Sequence, residues 1–105
     1  MRQAARIDVL CGAFASQPLA FAHLQDAADA QGLTVDLDHV EVVAPPHGTR
    51  LAWFFDGGTA AAIAADAGEA TVVLVLPGAL PTGAFAADRR LRRIGTFEGE
   101  VTRAP

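Results

Sequence analysis

Residues 50–76, RLAWFFDGGTAAAIAADAGEATVVLVL, decide the fold class. Arg50–Phe55 has the aromatic, alternating character of a strand, with Leu51, Trp53 and Phe55 on one face and Ala52 and Phe54 on the other. Asp56-Gly57-Gly58 reads as a turn. Thr59–Ala67 reads as an alanine-rich helix, with Thr59 placed as N-cap and Gly68 as its stop. Ala70–Leu76 is an unbroken apolar run rich in β-branched residues, the pattern of a central strand covered on both faces. Strand, turn, helix and strand in one short stretch predict a mixed α and β domain.

Working outward, Ala5–Cys11 alternates, with Ile7, Val9 and Cys11 on one face and Asp8 and Leu10 on the other. Ser16-Gln17-Pro18 starts a helix that runs to Gln31 and stops at Gly32. Thr34–Val43 reads as a strand whose register shifts at Asp38-His39, the signature of a bulge. Ala44–Gly48 then closes a hairpin onto Arg50–Phe55. Pro77–Gly83 cannot extend the central strand. Residues 84–93 read equally as one helical turn or as irregular chain, and Ile94–Val101 is a final, glycine-containing edge strand. The predicted order is β-α-β-β-α-β plus one strand. That is the ferredoxin-like arrangement of an antiparallel sheet with both helices on one face, carrying an extra C-terminal edge strand. Its open sheet face would need cover, which a homodimer would supply. The competing arrangement is a three-layer sheet with helices on both sides.

The whole chain, residues 1–105, forms a single domain at this length. Half of it is hydrophobic, so a core forms without disulfides. Cys11 is the one cysteine, which fits a reducing, cytoplasmic setting. No apolar run is long enough to span a membrane as a helix. All eight basic residues are arginine. Residues 1–88 hold three of them against ten acids, net −7, whereas residues 89–105 hold five against two, net +3.

That asymmetry and the glycine turn supply the site candidates. Gly57, Gly58 and Thr59 offer backbone N–H groups at a helix start, where a small anion binds, although Asp56 puts negative charge in the same place. Cys11, at the end of the first strand, is a candidate ligand-binding or nucleophilic thiol with no second cysteine or base beside it. Arg89, Arg90, Arg92 and Arg93 form a cluster suited to carboxylates on a partner or on the protein's own acidic body. Trp53 is the candidate aromatic anchor. Asp36, Asp38, His39, Glu41 and His47 are metal-ligand types, but they lack ligand spacing and read as a solvated strand and loop. No metal, cofactor, nucleic acid or membrane is expected, and no catalytic constellation assembles. The expected function is therefore a small protein-interaction or regulatory module: an adaptor, a regulatory subunit or an immunity-type inhibitor. It would act on a protein partner through a sheet face and the arginine-rich segment. The alternative is a small dimeric ferredoxin-like enzyme or ligand binder with an apolar sheet-face pocket.

Overall fold

The computed structural model describes residues 2–79, 85 and 88–102. Four strands form one sheet: β1 (Arg2–Gly12), β2 (Val40–Val43), β3 (Thr71–Val75) and β4 (Arg92–Thr102). Their order is β2-β3-β1-β4, and every neighbouring pair is antiparallel. Helix α1 (Gln17–Ala30) connects β1 towards β2, and a 3₁₀ turn (Leu37–His39) precedes β2. Helices α2 (Gly48–Leu51) and α3 (Gly57–Ala67) both lie between β2 and β3.

Local chemistry sets the helix ends. The Ser16 hydroxyl accepts the Leu19 N–H at 3.3 Å, Pro18 sits in the first turn of α1, and Gly32 leaves the helix at φ +70°. In α3 the cap is Asp56 rather than the expected Thr59, because a carboxylate one turn earlier reaches back to the Thr59 N–H at 2.8 Å. Gly68, at φ +61°, ends α3 as anticipated.

Side-chain alternation on β1 divides the core into two layers. Ile7, Val9 and Cys11 join Val72 and Leu74 under Leu51 of α2 and Ala60, Ile63 and Ala67 of α3. Leu10 joins Val40, Val42 and Val73 under Ala20, Leu24 and Ala28 of α1. Leu24 and Ile63 are fully buried, each contributing about 1.5–3 kcal/mol of transfer free energy. Helices thus cover both faces of the inner strands. The ferredoxin-like order with both helices on one face does not form; α2 and α3 replace the expected hairpin and sit opposite α1. The apolar strand residues that seemed to need a second copy are covered within the chain. The final strand is the fourth of the sheet rather than an extra one, and it does lie at an edge.

One expected strand is absent, and another, Thr34–Val43, forms only as Val40–Val43. Arg50–Phe55 is the end of α2 and a following turn, with Leu51 and Phe55 buried and Trp53 exposed. Burial four residues apart is a helical period, and the aromatic content had concealed it. Thr34–Leu37 is not a strand either. The Asp36 carboxylate accepts the Asp38 N–H at 3.0 Å, and this local turn competes with extended backbone. Residues 84, 86 and 87 of the ambiguous segment lie outside the described residues.

The strands differ in length, and this shapes the molecule. β1 pairs with β4 from Arg2 to Cys11 but with β3 only from Asp8 to Gly12. Residues 2–7 of β1 and 97–102 of β4 therefore continue as a two-stranded ribbon. β3 stops because Pro77 has no N–H to offer a ladder and Gly78 turns the chain at φ +94°. At the ribbon's outer edge the Glu100 N–H donates to the Phe54 carbonyl at 2.7 Å. Gly99 permits that approach: a Cβ there would stand 2.5 Å from the Phe54 oxygen and 2.9 Å from Ile7 Cδ1.

Candidate functional site

Three clefts among the described residues border the ribbon. One, of about 510 Å³, is lined by Arg6, Asp8, Val75, Leu76, Pro77, Gly78 and Thr96. A second, of about 340 Å³, includes Asp38, Glu41, Arg50, Trp53, Phe54 and Leu76. A third, of about 420 Å³, wraps the outer edge between Phe54, Asp56, Glu98 and Glu100. Among the described residues, these clefts gather where the sheet outruns β3.

Trp53 stands at the second cleft with 58% of its surface exposed. One turn of helix arranges its neighbours. The Arg50 guanidinium lies 5.4 Å from the Trp53 ring centre and 5.5 Å from that of Phe54, the i+3 and i+4 positions. Arg50 also donates to Glu41 of β2 at 2.8 Å. The indole is thus presented by a stacked, ion-paired arginine. Trp and Arg are among the side chains enriched in the hot spots of protein interfaces, and Phe is enriched at their cores.

The first cleft is polar on its sheet side. Asp8, Thr96 and Arg93 form a chain: Asp8 Oδ1 accepts the Thr96 hydroxyl at 2.5 Å and the Arg93 guanidinium at 3.3 Å, and Arg93 also bonds Thr96. The Asp8 side chain is only 17% exposed. Arg6 lies two residues earlier on the same face. Among the described residues the Arg6 side chain has no ion pair or hydrogen bond.

Of the interaction and ligand candidates, Trp53 lines one of these three clefts among the described residues. Gly57 and Gly58 begin α3, and the Asp56 carboxylate occupies the position an anion would take. The Thr59 N–H, then its hydroxyl, hold the exposed Asp56 carboxyl below its ordinary value. Cys11 is a free thiol buried in the α2–α3 layer. The arginine cluster is largely turned onto the protein itself. Arg90 donates to the Ala13 carbonyl at 2.9 Å and lies 4.6 Å from the Phe14 ring centre. Arg92 pairs with Asp66 at 3.0 Å, and Arg93 with Asp8. Arg89 is exposed and has no such partner among the described residues.

The metal-ligand types are dispersed. His47, buried at the start of α2, donates from Nε2 to the Ala70 carbonyl at 2.6 Å. His39 pairs with Asp36 at 2.8 Å, and His23 with Asp88 at 2.8 Å. No group of three or more His, Cys, Asp or Glu residues among those described is arranged to hold a metal ion. Also among the described residues, no helix is long and apolar enough to cross a membrane.

Sequence reasoning passed over Arg6, Arg50 and Thr96 and named Asp8 only as a position within β1. The available signal was Asp8 itself, a carboxylate inside an otherwise apolar alternation, which must find donors when half-buried. No protein-family model matches the chain, and no curated protein or solved structure matches it with significance.

Proposed function

We propose that this domain is a protein-interaction module of regulatory type, and that Trp53 is its anchor. The observation that carries the reading is the exposed indole held in place by Arg50 between the Trp53 and Phe54 rings. A bulky apolar side chain left 58% exposed while its neighbours are ordered costs little further entropy when a partner covers it. The partner contacts the cleft formed by Asp38, Glu41, Arg50, Trp53, Phe54 and Leu76. Of the arginine cluster, Arg89 is exposed, Arg92 and Arg93 brace β4 through Asp66 and Asp8, and Arg90 holds the Ala13 carbonyl and the Phe14 ring. A single buried thiol suits a reducing compartment such as the cytoplasm.

Trp53 is the chain's only tryptophan, so its emission reports this surface without interference. The test is quantitative affinity capture with wild type, Trp53→Ala and Arg50→Ala, followed by fluorescence titration with the purified partner. The expected result is a protein retained by wild type, lost by Trp53→Ala and shifting the emission to the blue. Equal retention by the folded Trp53→Ala variant rejects the reading. A second copy of the chain is one such partner, and a blue shift that rises with protein concentration identifies it.

A further inference from the structure

We propose that the cleft between Arg6, Asp8 and the end of β3 binds a small organic monocarboxylate. This ligand carries a hydroxyl donor beside its carboxylate and a short aliphatic tail. The cleft exists because two layers stop short of it. β3 ends at Val75, and α1 packs through Ala20, Leu24 and Ala28 against Val40, Val42 and Val73. The sheet face at Arg6, Asp8 and Thr96 keeps about 510 Å³ of space, walled by Val75, Leu76 and Pro77. That volume falls within the range of small-ligand sites.

Three features set the chemistry of the occupant. Arg6 is the first. Its guanidinium has no partner among the described residues, and its planar fork matches a carboxylate bidentately. Glu98 stands opposite Arg6 across the β1–β4 ladder without forming an ion pair with it. Asp8 is the second. Both of its hydrogen bonds fall on Oδ1, so Oδ2 is a fixed acceptor among the described residues, suited to a ligand hydroxyl. The third is the aliphatic wall, which takes an apolar tail.

Charge excludes the nearest competitor. Arg6 and Arg93 balance Asp8 and Glu98, so a monocarboxylate leaves the site with a single negative charge. A phosphate dianion would bring a second negative charge beside Asp8 and Glu98 and would be repelled. The site shares Leu76 with the Trp53 cleft but opens on the other face: Asp8 and Arg6 face the α1 side of the sheet, and Trp53 belongs to the α2–α3 side.

The experiment is an NMR titration of the ¹⁵N-labelled full chain with 2-hydroxyisovalerate, following the Arg6, Asp8, Gly78 and Thr96 amides. Saturable shifts at those amides are expected, with a Kd on the order of 1 mM. Isovalerate, which lacks the hydroxyl, and the Arg6→Gln variant should each bind about tenfold more weakly. Arg6 has no described partner to lose, so the variant should keep its spectrum elsewhere. The proposal fails if those amides show no saturable shift, if Arg6→Gln binds as tightly as wild type, or if inorganic phosphate binds as tightly as the hydroxy acid.

Discussion

The inner part of the sheet and the ribbon that outruns it share β1 but serve different ends. Where β1 runs between β3 and β4, Val9, Leu10 and Cys11 are buried by helices on both faces. Where β1 pairs with β4 alone, Ala4 and Arg6 are exposed, each lining a cleft, and a third cleft meets the ribbon at Glu100 and Val101. The ribbon still sends Ile7 and Val101 into the α2–α3 core, but its exposed positions border open clefts. A shared strand lets a rigid layer position a wet one, which is how a small domain keeps a site in place without a large core.

The comparison breaks most forcefully at the centre. Leu74→Ala removes a fully buried side chain between α3 and β1 and should cost about 2–5 kcal/mol, read by urea denaturation. Against a total of about 5–15 kcal/mol, that loss threatens folding itself. Gly99→Ala, in the ribbon, should cost less, about 1–3 kcal/mol, because the chain must shift to admit a Cβ against the Phe54 carbonyl. If Gly99→Ala proved the more damaging, the packing of Phe54 and Ile7 against β4 would matter more to stability than the centre of the sheet.

Smaller effects sharpen the contrast. Trp53→Ala should leave stability within about 1 kcal/mol, the scale of the lost Arg50 stacking, while removing partner binding. Cys11 should react with a thiol reagent only at the rate of opening events, since it lies in the covered layer. The smallest effect concerns Asp56. Its carboxyl is held below the ordinary value of 3.8 by the Thr59 N–H, so the folded state binds that proton less readily than the unfolded chain. The cap's contribution is complete above the unfolded value and fades as pH falls through the lower folded one. The Tm gap between wild type and Asp56→Ala should therefore be full at neutral pH and narrow below about pH 4.

Much of the inner region was legible in the sequence. The Ile7/Val9/Cys11 alternation, the Ser16 cap, the Gly32 and Gly68 stops and the apolar Thr71–Val75 run are local signals, and each formed as read. Residues 34–55 were misread because two kinds of local chemistry compete there. Asp36 bonds its own backbone, and Arg50 stacks on Trp53 and Phe54 at helical spacing inside a run whose aromatic content suggests a strand. With that strand lost, the layer order changed and the ferredoxin-like arrangement went with it. The candidate site was less legible still. It depends on β1 and β4 outrunning β3, a difference in length that only pairing reveals, and it joins Arg6 to Thr96 across the whole chain. Trp53 was singled out in the sequence as a candidate anchor, and the structure leaves it 58% exposed. Its exposure followed from the helical turn, not from the alternation that first drew notice.

The hydrogen bond from Glu100 to the Phe54 carbonyl has a consequence for how molecules of this protein meet. β4 is a long outer strand, and such strands invite another chain to add itself and start a growing stack. Phe54 occupies one of the outward donors, the register shift opposite Val9 and Leu10 twists the strand, and Arg92, Arg93 and Glu98 put charge along it. The turn after α2 therefore acts as a guard rail against aggregation as well as a brace. A substitution at Gly99 that lifts Phe54 away would uncover the edge, and its damage would surface as insoluble protein before it surfaced as unfolding.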